Sequence, residues 1–233
     1  MPRNINMKLS DYIFKTIVPK YAGFDAAHKE EHALTVIGQA LELEEKRHSW
    51  LDTQSTEDIV PIWSEPINRD MLMTAAACHD LGLVNGRERH HLDSGEIIRA
   101  DRNLLQWFTA EQIETIAQAA EDHRASGKTP PRSIYGMLIA EADRVIDQET
   151  IIRRTIQFGQ KHYPELDHQG HMDRAVDHLK EKYGRGGYLK LWIPWSDNAV
   201  RLAALQDLIA DTQALRKEVE RISSMISSTV KEV

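Results

Sequence analysis

Apolar residues recur at steps of three and four along almost the whole chain, and this spacing limits the fold more than any other feature. After the polar stretch DAAHKEEH, Leu34, Ile37 and Leu41 run beside Val36, Ala40 and Leu43, the pattern of an amphipathic helix. No segment alternates apolar and polar residues in the manner of a half-buried strand. The chain reads as all-α, a helical bundle with a C-terminal helical extension.

Turn-forming residues divide the helices. Asp52 to Asn68 carries prolines with Ser, Thr and Asp and reads as a loop or insertion. A helix restarts near Arg69 in RDMLMTAAACHDLG, and Gly82 is expected to take the left-handed conformation that often follows a helix end. Further helices follow over His90 to Asp101 and after Thr109, where Thr109 and Gln112 fit a capping box. SGKTPPRS, Ser126 to Ser133, is the next loop. The run IYGMLIAEADRVIDQETIIRRTIQFG then puts Ile139, Ala142, Val145 and Ile146 along one side of a helix, with Asp143 in its middle. A terminal helix carries a stripe of Leu205, Leu208, Leu215, Val219, Ile222 and Ile226, which suits packing against its own domain or, alternatively, a homodimer seam. With 233 residues, the expected organisation is a core over 1–160, interrupted by the loop at about 52–68, and an extension over 161–233 packing on it.

The net charge of -7 argues against a nucleic-acid polymer as partner, because such proteins neutralise phosphates with a basic surface. A small anion bound by a local Arg cluster remains compatible with it. The lone Cys78 has no partner for an internal disulfide and sits in an apolar run, where it serves as a small buried hydrophobe. No stretch has the apolar length of a signal peptide or the roughly 20 residues of a membrane span. The expectation is a cytoplasmic protein without a membrane partner.

The stretch AAACHDLGLVNGRERHH places an adjacent His79 and Asp80 at the end of a small-residue helix. Divalent ions need neutral imidazole nitrogens and carboxylate oxygens converging from rigid elements. Upstream, His28 and His32 lie four apart and share a helix face, so both are candidates for a further ligand. Downstream, Asp143 falls in EADRVI. His32, His79, Asp80 and Asp143 together resemble the HD superfamily of metal-dependent phosphohydrolases, whose signature is a His, a His-Asp pair and a distant Asp. HDLGLVNGR is similar to the end of that family's His-Asp helix, HHLDSGEII to its next helix and EADRVI to the helix with its last Asp. The likeness covers about His28 to Gln157, and His32 stands where the family has its first ligand.

The resemblance also implies a second ion. HLDSG, His91 to Gly95, is similar to the His-x-x-x-Gly of binuclear members, and EDHRASG supplies His123 where they have their next His. Asp80 would then bridge two metals, with His91 and His123 on the second; the alternative leaves both histidines lining the cleft. His90 points about 100° away from His91 on a helix and is assigned to substrate. Arg87, Arg89, Arg124, Lys128 and Arg132 fall near the ligands, and Arg can donate two hydrogen bonds to a phosphate. Arg124 is assigned to charge on the transferring phosphoryl group beside the catalytic Asp80, and Arg87, Arg89, Lys128 and Arg132 to substrate binding. His162, His168, His171 and His178 match no family motif and read as solvated or loop residues.

A divalent ion, one or two of Mn, Fe, Co, Ni or Zn, lowers the pKa of its water to about 7 and polarises a phosphoryl oxygen. The resemblance thus implies hydrolysis of a phosphate ester or anhydride of a small nucleotide-like substrate by a metal-activated hydroxide. The chain lacks the Lys after His-Asp and the Gly-Tyr-Pro of the family's cyclic-dinucleotide phosphodiesterases. Two other readings stay open: a catalytically idle metal- or nucleotide-binding module, and a di-iron oxygenase, since a few HD proteins use the same ligand order to oxidise small molecules.

Overall fold

A computed structural model describes residues 7–25, 28–55, 57, 59–125, 129–144 and 146–230. Among them every regular element is a helix. The chain divides into two compact units, one built on Met1–Arg144 together with Trp192–Ser196, the other on Val145–Leu191 and Asp197–Val233.

The first unit opens with α1 (Leu9–Tyr12), which runs through a π turn (Ile13–Ile17) into a 3-10 segment (Val18–Gly23). Then come α2 (Glu30–Leu51), the single turn α3 (Pro61–Ser64), α4 (Arg69–Cys78), α5 (His90–Ala100), α6 (Ala110–Asp122) and α7 (Ile134–Ala142), with short 3-10 segments after α4 and α5. Side chains set the helix starts. The Asn68 carboxamide accepts from the Asp70 and Met71 amides, Thr109 and Gln112 form the expected capping box, and the Ser133 hydroxyl accepts from the Gly136 amide. Each satisfies amides that have no partner inside the helix.

On α2 the buried stripe is Ala33, Val36, Ile37, Ala40 and Leu43, whereas Leu34 is exposed. That stripe packs on α4, whose Leu72 and Ala75 to Ala77 are fully buried. Alanines here let α4 sit close to α2, α6 and α7 at once. All nine residues of α7 are buried, as in a central helix, and eight of them are apolar or carry no charge; the exception, Glu141, accepts from the Trp192 amide. Tertiary contacts fasten the 52–68 loop to α2: Arg47 donates to the Trp63 and Glu65 carbonyls, and the Trp63 ring meets Trp50 edge-on. The returning strap Trp192–Ser196 seals this end, with Ile193 and Trp195 buried and the Trp195 indole N–H donating to the Leu43 carbonyl at 2.8 Å.

The second unit consists of α8 (Gln148–His162), α9 (His168–Tyr183), α10 (Asn198–Ala210) and α11 (Thr212–Val230). Two helices that looked continuous in the sequence are broken by aspartates. α7 stops at Asp143 and α8 starts anew because the Asp147 carboxylate accepts from the Thr150 amide. Asp211 likewise accepts from the Gln213 and Ala214 amides and separates α10 from α11. Helix α8, read as part of a core ending near 160, thus lies in the second unit. The terminal stripe is buried at Leu205, Leu215, Val219, Ile222 and Ile226, with Leu208 only half-buried, and α11 packs on α8, α9 and α10.

Candidate metal centre

Helix ends build the site. His79 caps the C-terminus of α4, His123 that of α6 and Asp143 that of α7, while His32 lies in the first turn of α2 and His90 opens α5. A helix C-terminus carries partial negative charge, so three such ends facing one place favour a cation there. Asp80 follows His79 with φ -110° and ψ 8°. This leaves the helical conformation and turns its carboxylate between two groups of imidazoles.

One group sits on Asp80 Oδ2, with His32 Nε2 at 3.5 Å and His79 Nε2 at 3.3 Å. Asp143 Oδ1 completes it at 3.2 Å from His32 Nε2 and 3.7 Å from His79 Nε2. The other group sits on Asp80 Oδ1, with His90 Nε2 and His123 Nε2 each at 3.4 Å. His79 and Asp80 are buried, as is His123, whereas His32 and His90 are partly exposed. His32, His79 and Asp80 gather their ligand atoms closely enough to hold a metal ion, as do Asp80, His90 and His123, and Asp143 lies against the first three through its contacts with His32 and His79.

Ring orientation tests whether an ion fits. Nδ1 of His79 lies 2.7 Å from the Ala76 carbonyl, Nδ1 of His90 2.8 Å from that of Arg87, and Nδ1 of His123 2.5 Å from that of Ala120. A carbonyl only accepts, so each Nδ1 carries its hydrogen and each Nε2 turns inward, the arrangement typical of metal-bound histidines. His90 and His123 then bring their Nε2 atoms within 3.2 Å of each other. Two lone pairs that close repel unless a proton or a cation lies between them, so the residues fit a divalent ion. Burial pushes His32 and His79 toward the neutral form, yet Asp143 and Asp80 outweigh it and raise both. Burial would raise the two carboxyls, but the imidazoles hold both well below the usual range. The cluster therefore has a strong demand for positive charge.

The adjacent histidines of α5 do not take the places expected of them. His90, assigned to substrate, faces Asp80 and His123; His91, assigned to the second ion, does not join either set. One step along a helix turns the side chain by about 100°, and only the residue facing α6 and the α4 turn can reach Asp80. Burial pushes His91 down to about 4, with the Arg124 charge adding to the effect, and its buried Nδ1 has no hydrogen-bond partner among the described residues.

Gly82 also differs from expectation. It lies inside the 3-10 segment Leu81–Asn85, and the positive φ among the described residues belongs to Gly86. What Gly82 provides is closeness, because a Cβ there would stand 2.0 Å from the His90 carbonyl. Ser94 completes that junction, accepting from the Gly82 amide at 2.9 Å and donating to the His90 carbonyl at 2.8 Å. Gly95 serves the next one, since a Cβ would meet the Glu121 side chain of α6 at 2.4 Å. Glu121 in turn binds Arg99 and Arg132, each at 2.6 Å. Ser94 escaped the sequence reading because a buried serine in a helix carries no periodic signal.

The basic residues separate as well. Arg124 donates to the Glu88 carbonyl and lies near enough to His90 and His91 to disfavour their protonation. Arg87 is exposed and faces Asp25 at 3.6 Å, and Arg89 is exposed beside Glu96 at 3.6 Å. Arg132, expected on substrate, is instead held by Asp122 and Glu121. Lys128 lies outside the described residues. His28 binds Asp25 through Nδ1 at 2.7 Å, and its ring stands edge-on to His32 at 5.5 Å.

An all-helical unit that collects His, His-Asp, two further His and Asp from separate helix ends defines a metal-binding class of protein. The family model for the HD domain matches residues 30–146, half of the chain, and the protein belongs to that family. No curated protein and no solved structure gave a match. HD domains bind divalent metals and are in general metal-dependent hydrolases, and the His/Asp cluster lies within the matched region. No helix among the described residues is long and apolar enough to cross a membrane.

Proposed function

We propose that the protein is a phosphohydrolase that cleaves a phosphate ester or anhydride of a small nucleotide-like anion with the help of two divalent ions. The observation that carries this is the two-sided Asp80 carboxylate, whose oxygens each face a separate pair of imidazoles at 3.3 to 3.5 Å. His32, His79, Asp80 and Asp143 would hold one ion, and Asp80, His90 and His123 the other; the donor set suits Mn, Fe, Co, Ni or Zn. When bound, such ions supply Lewis acidity toward a phosphoryl oxygen and acidify water to a pKa of about 7.

The protein's own groups do the rest. Carbonyls of α4, α6 and the turn before α5 fix the ring planes, so the ligands stay aimed without reorganisation. Arg124, steadied by the Glu88 carbonyl beside His90, offers planar paired donors to the phosphoryl oxygens. Exposed Arg87 and Arg89, in the turn leading to α5, would turn from their loose contacts with Asp25 and Glu96 toward a small anion. No hydroxyl or thiol nucleophile is needed, and Cys78 is buried with its thiol pushed up to about 12 by burial.

The test is elemental analysis of protein purified without chelator, alongside phosphate release from nucleoside phosphates and p-nitrophenyl phosphate with Mn or Fe present. Close to two metals per chain with phosphate release is expected. Bound metal without turnover of any phosphate would move the reading to a binding module. Iron content coupled to oxygen uptake would move it to an oxygenase.

A further inference from the structure

The chain has to leave α4 between His79 and Asp80, and doing so strands the last carbonyls of the helix and the first amide after it. The Ala76 carbonyl receives the His79 Nδ1–H. One more carbonyl and the Asp80 amide are served from far away in sequence. Tyr21, fully buried in the 3-10 segment Val18–Gly23, donates its hydroxyl to the Ala77 carbonyl at 2.9 Å and accepts from the Asp80 amide at 3.2 Å. Its ring is 6.4 Å from that of His79 and packs edge-on against Phe24 at 5.3 Å. One hydroxyl thus closes both ends of the turn that presents the His-Asp pair.

We propose that Tyr21, which lies before the matched region 30–146, is a positioning residue for the metal centre, locking the Asp80 backbone so that its carboxylate faces both imidazole groups. The proposal rests on the metal reading of Asp80. Buried donors and acceptors tolerate loss of a partner poorly, and Asp80 has already left the helical conformation, so the intrahelical ladder of α4 does not fix its amide. Tyr12 provides the comparison. It is a buried tyrosine in the same N-terminal segment, but its hydroxyl donates to the Asp101 carboxylate and makes no bond to the backbone of the His-Asp turn.

The experiment is Mn titration of metal-free wild type, Tyr21→Phe and Tyr12→Phe by calorimetry, with melting temperatures taken on the same samples. Tyr21→Phe should weaken Mn binding about tenfold to a hundredfold, the usual effect of losing a group that orients ligands, while Tyr12→Phe keeps wild-type affinity even where it melts earlier. Wild-type affinity in Tyr21→Phe, or equal weakening in both variants, would overturn the proposal and leave the metal centre standing. Wild type that binds no Mn, Fe, Co, Ni or Zn would remove the centre and the proposal together. Should Tyr21→Phe fail to fold, amide exchange in metal-free wild type decides: a slowly exchanging Asp80 amide supports the lock, and a freely exchanging one overturns it.

Discussion

Histidines occur in both units, with opposite outcomes. In the first, His32, His79, His90 and His123 converge on Asp80 from four helices, three of them with Nδ1 held by a backbone carbonyl. In the second, His168 meets Glu220 at 2.9 Å on the surface, His162 stacks on Phe158, and among the described residues no metal-type group forms. The difference is one of position on the helix. His79 and His123 sit at helix C-termini, where free carbonyls orient the ring, and His32 and His90 in the first turns of α2 and α5, so each side chain can face the end of a neighbouring helix. His168 begins α9 as well, but it faces an exposed glutamate, so an end alone is insufficient without convergence.

The severest test of this contrast is Asp80→Ala. It removes the carboxylate common to both groups, and metal content should fall toward zero with hydrolysis reduced well beyond the ~10–100-fold typical of losing an orienting partner; retained metal and turnover would dissolve the distinction between the units. Next, His90→Ala should lose about one metal of two while His91→Ala loses none, measured by elemental analysis, and the reverse result would restore the sequence-based assignment. Arg124→Ala should keep its metals but lower kcat/KM by about tenfold to a hundredfold, the kinetic counterpart of the ~1.5–3 kcal/mol of a hydrogen bond to a charged group.

The second unit gives the smallest effects. His168→Gln should leave metal content unchanged and shift stability by no more than about 1 kcal/mol, as exposed ion pairs do, which thermal unfolding would check. Burial, with the Lys182 and Arg174 charges adding to it, lowers the pKa of His178. A depressed imidazole pKa means that the unfolded chain takes up a proton first. Stability should therefore decline as pH falls below the ordinary value near 6.5, and His178→Gln should flatten that decline in melts run between pH 7 and 5.

Much of the site was legible because its ligands are chemically distinctive and ordered along the chain. His32, His79, Asp80, His123 and Asp143 are picked out by residue type, sequence order and the likeness to the HD family's motifs, and the structure brings them near one another. His90 and His91 were not separable that way, since HHLDSG fits either register and a rotation of about 100° decides. Gly82 was assigned to a helix end on local propensity, but α5 packing so close that no Cβ fits is a long-range fact. Arg132 looked like a phosphate ligand until Glu121 and Asp122 were placed beside it.

By itself the sequence determined that the chain is helical, where several of its helices begin, and which side chains have the chemistry to be metal ligands, because periodicity, caps and ligand chemistry are local properties. Only the tertiary structure decided which histidine of α5 faces Asp80, that α7 ends at Asp143 with its carboxylate beside His32, and that Tyr21 closes the turn at Asp80. These depend on how helix ends meet across tens of residues, and apolar spacing fixes which face of a helix is buried without fixing what lies opposite it.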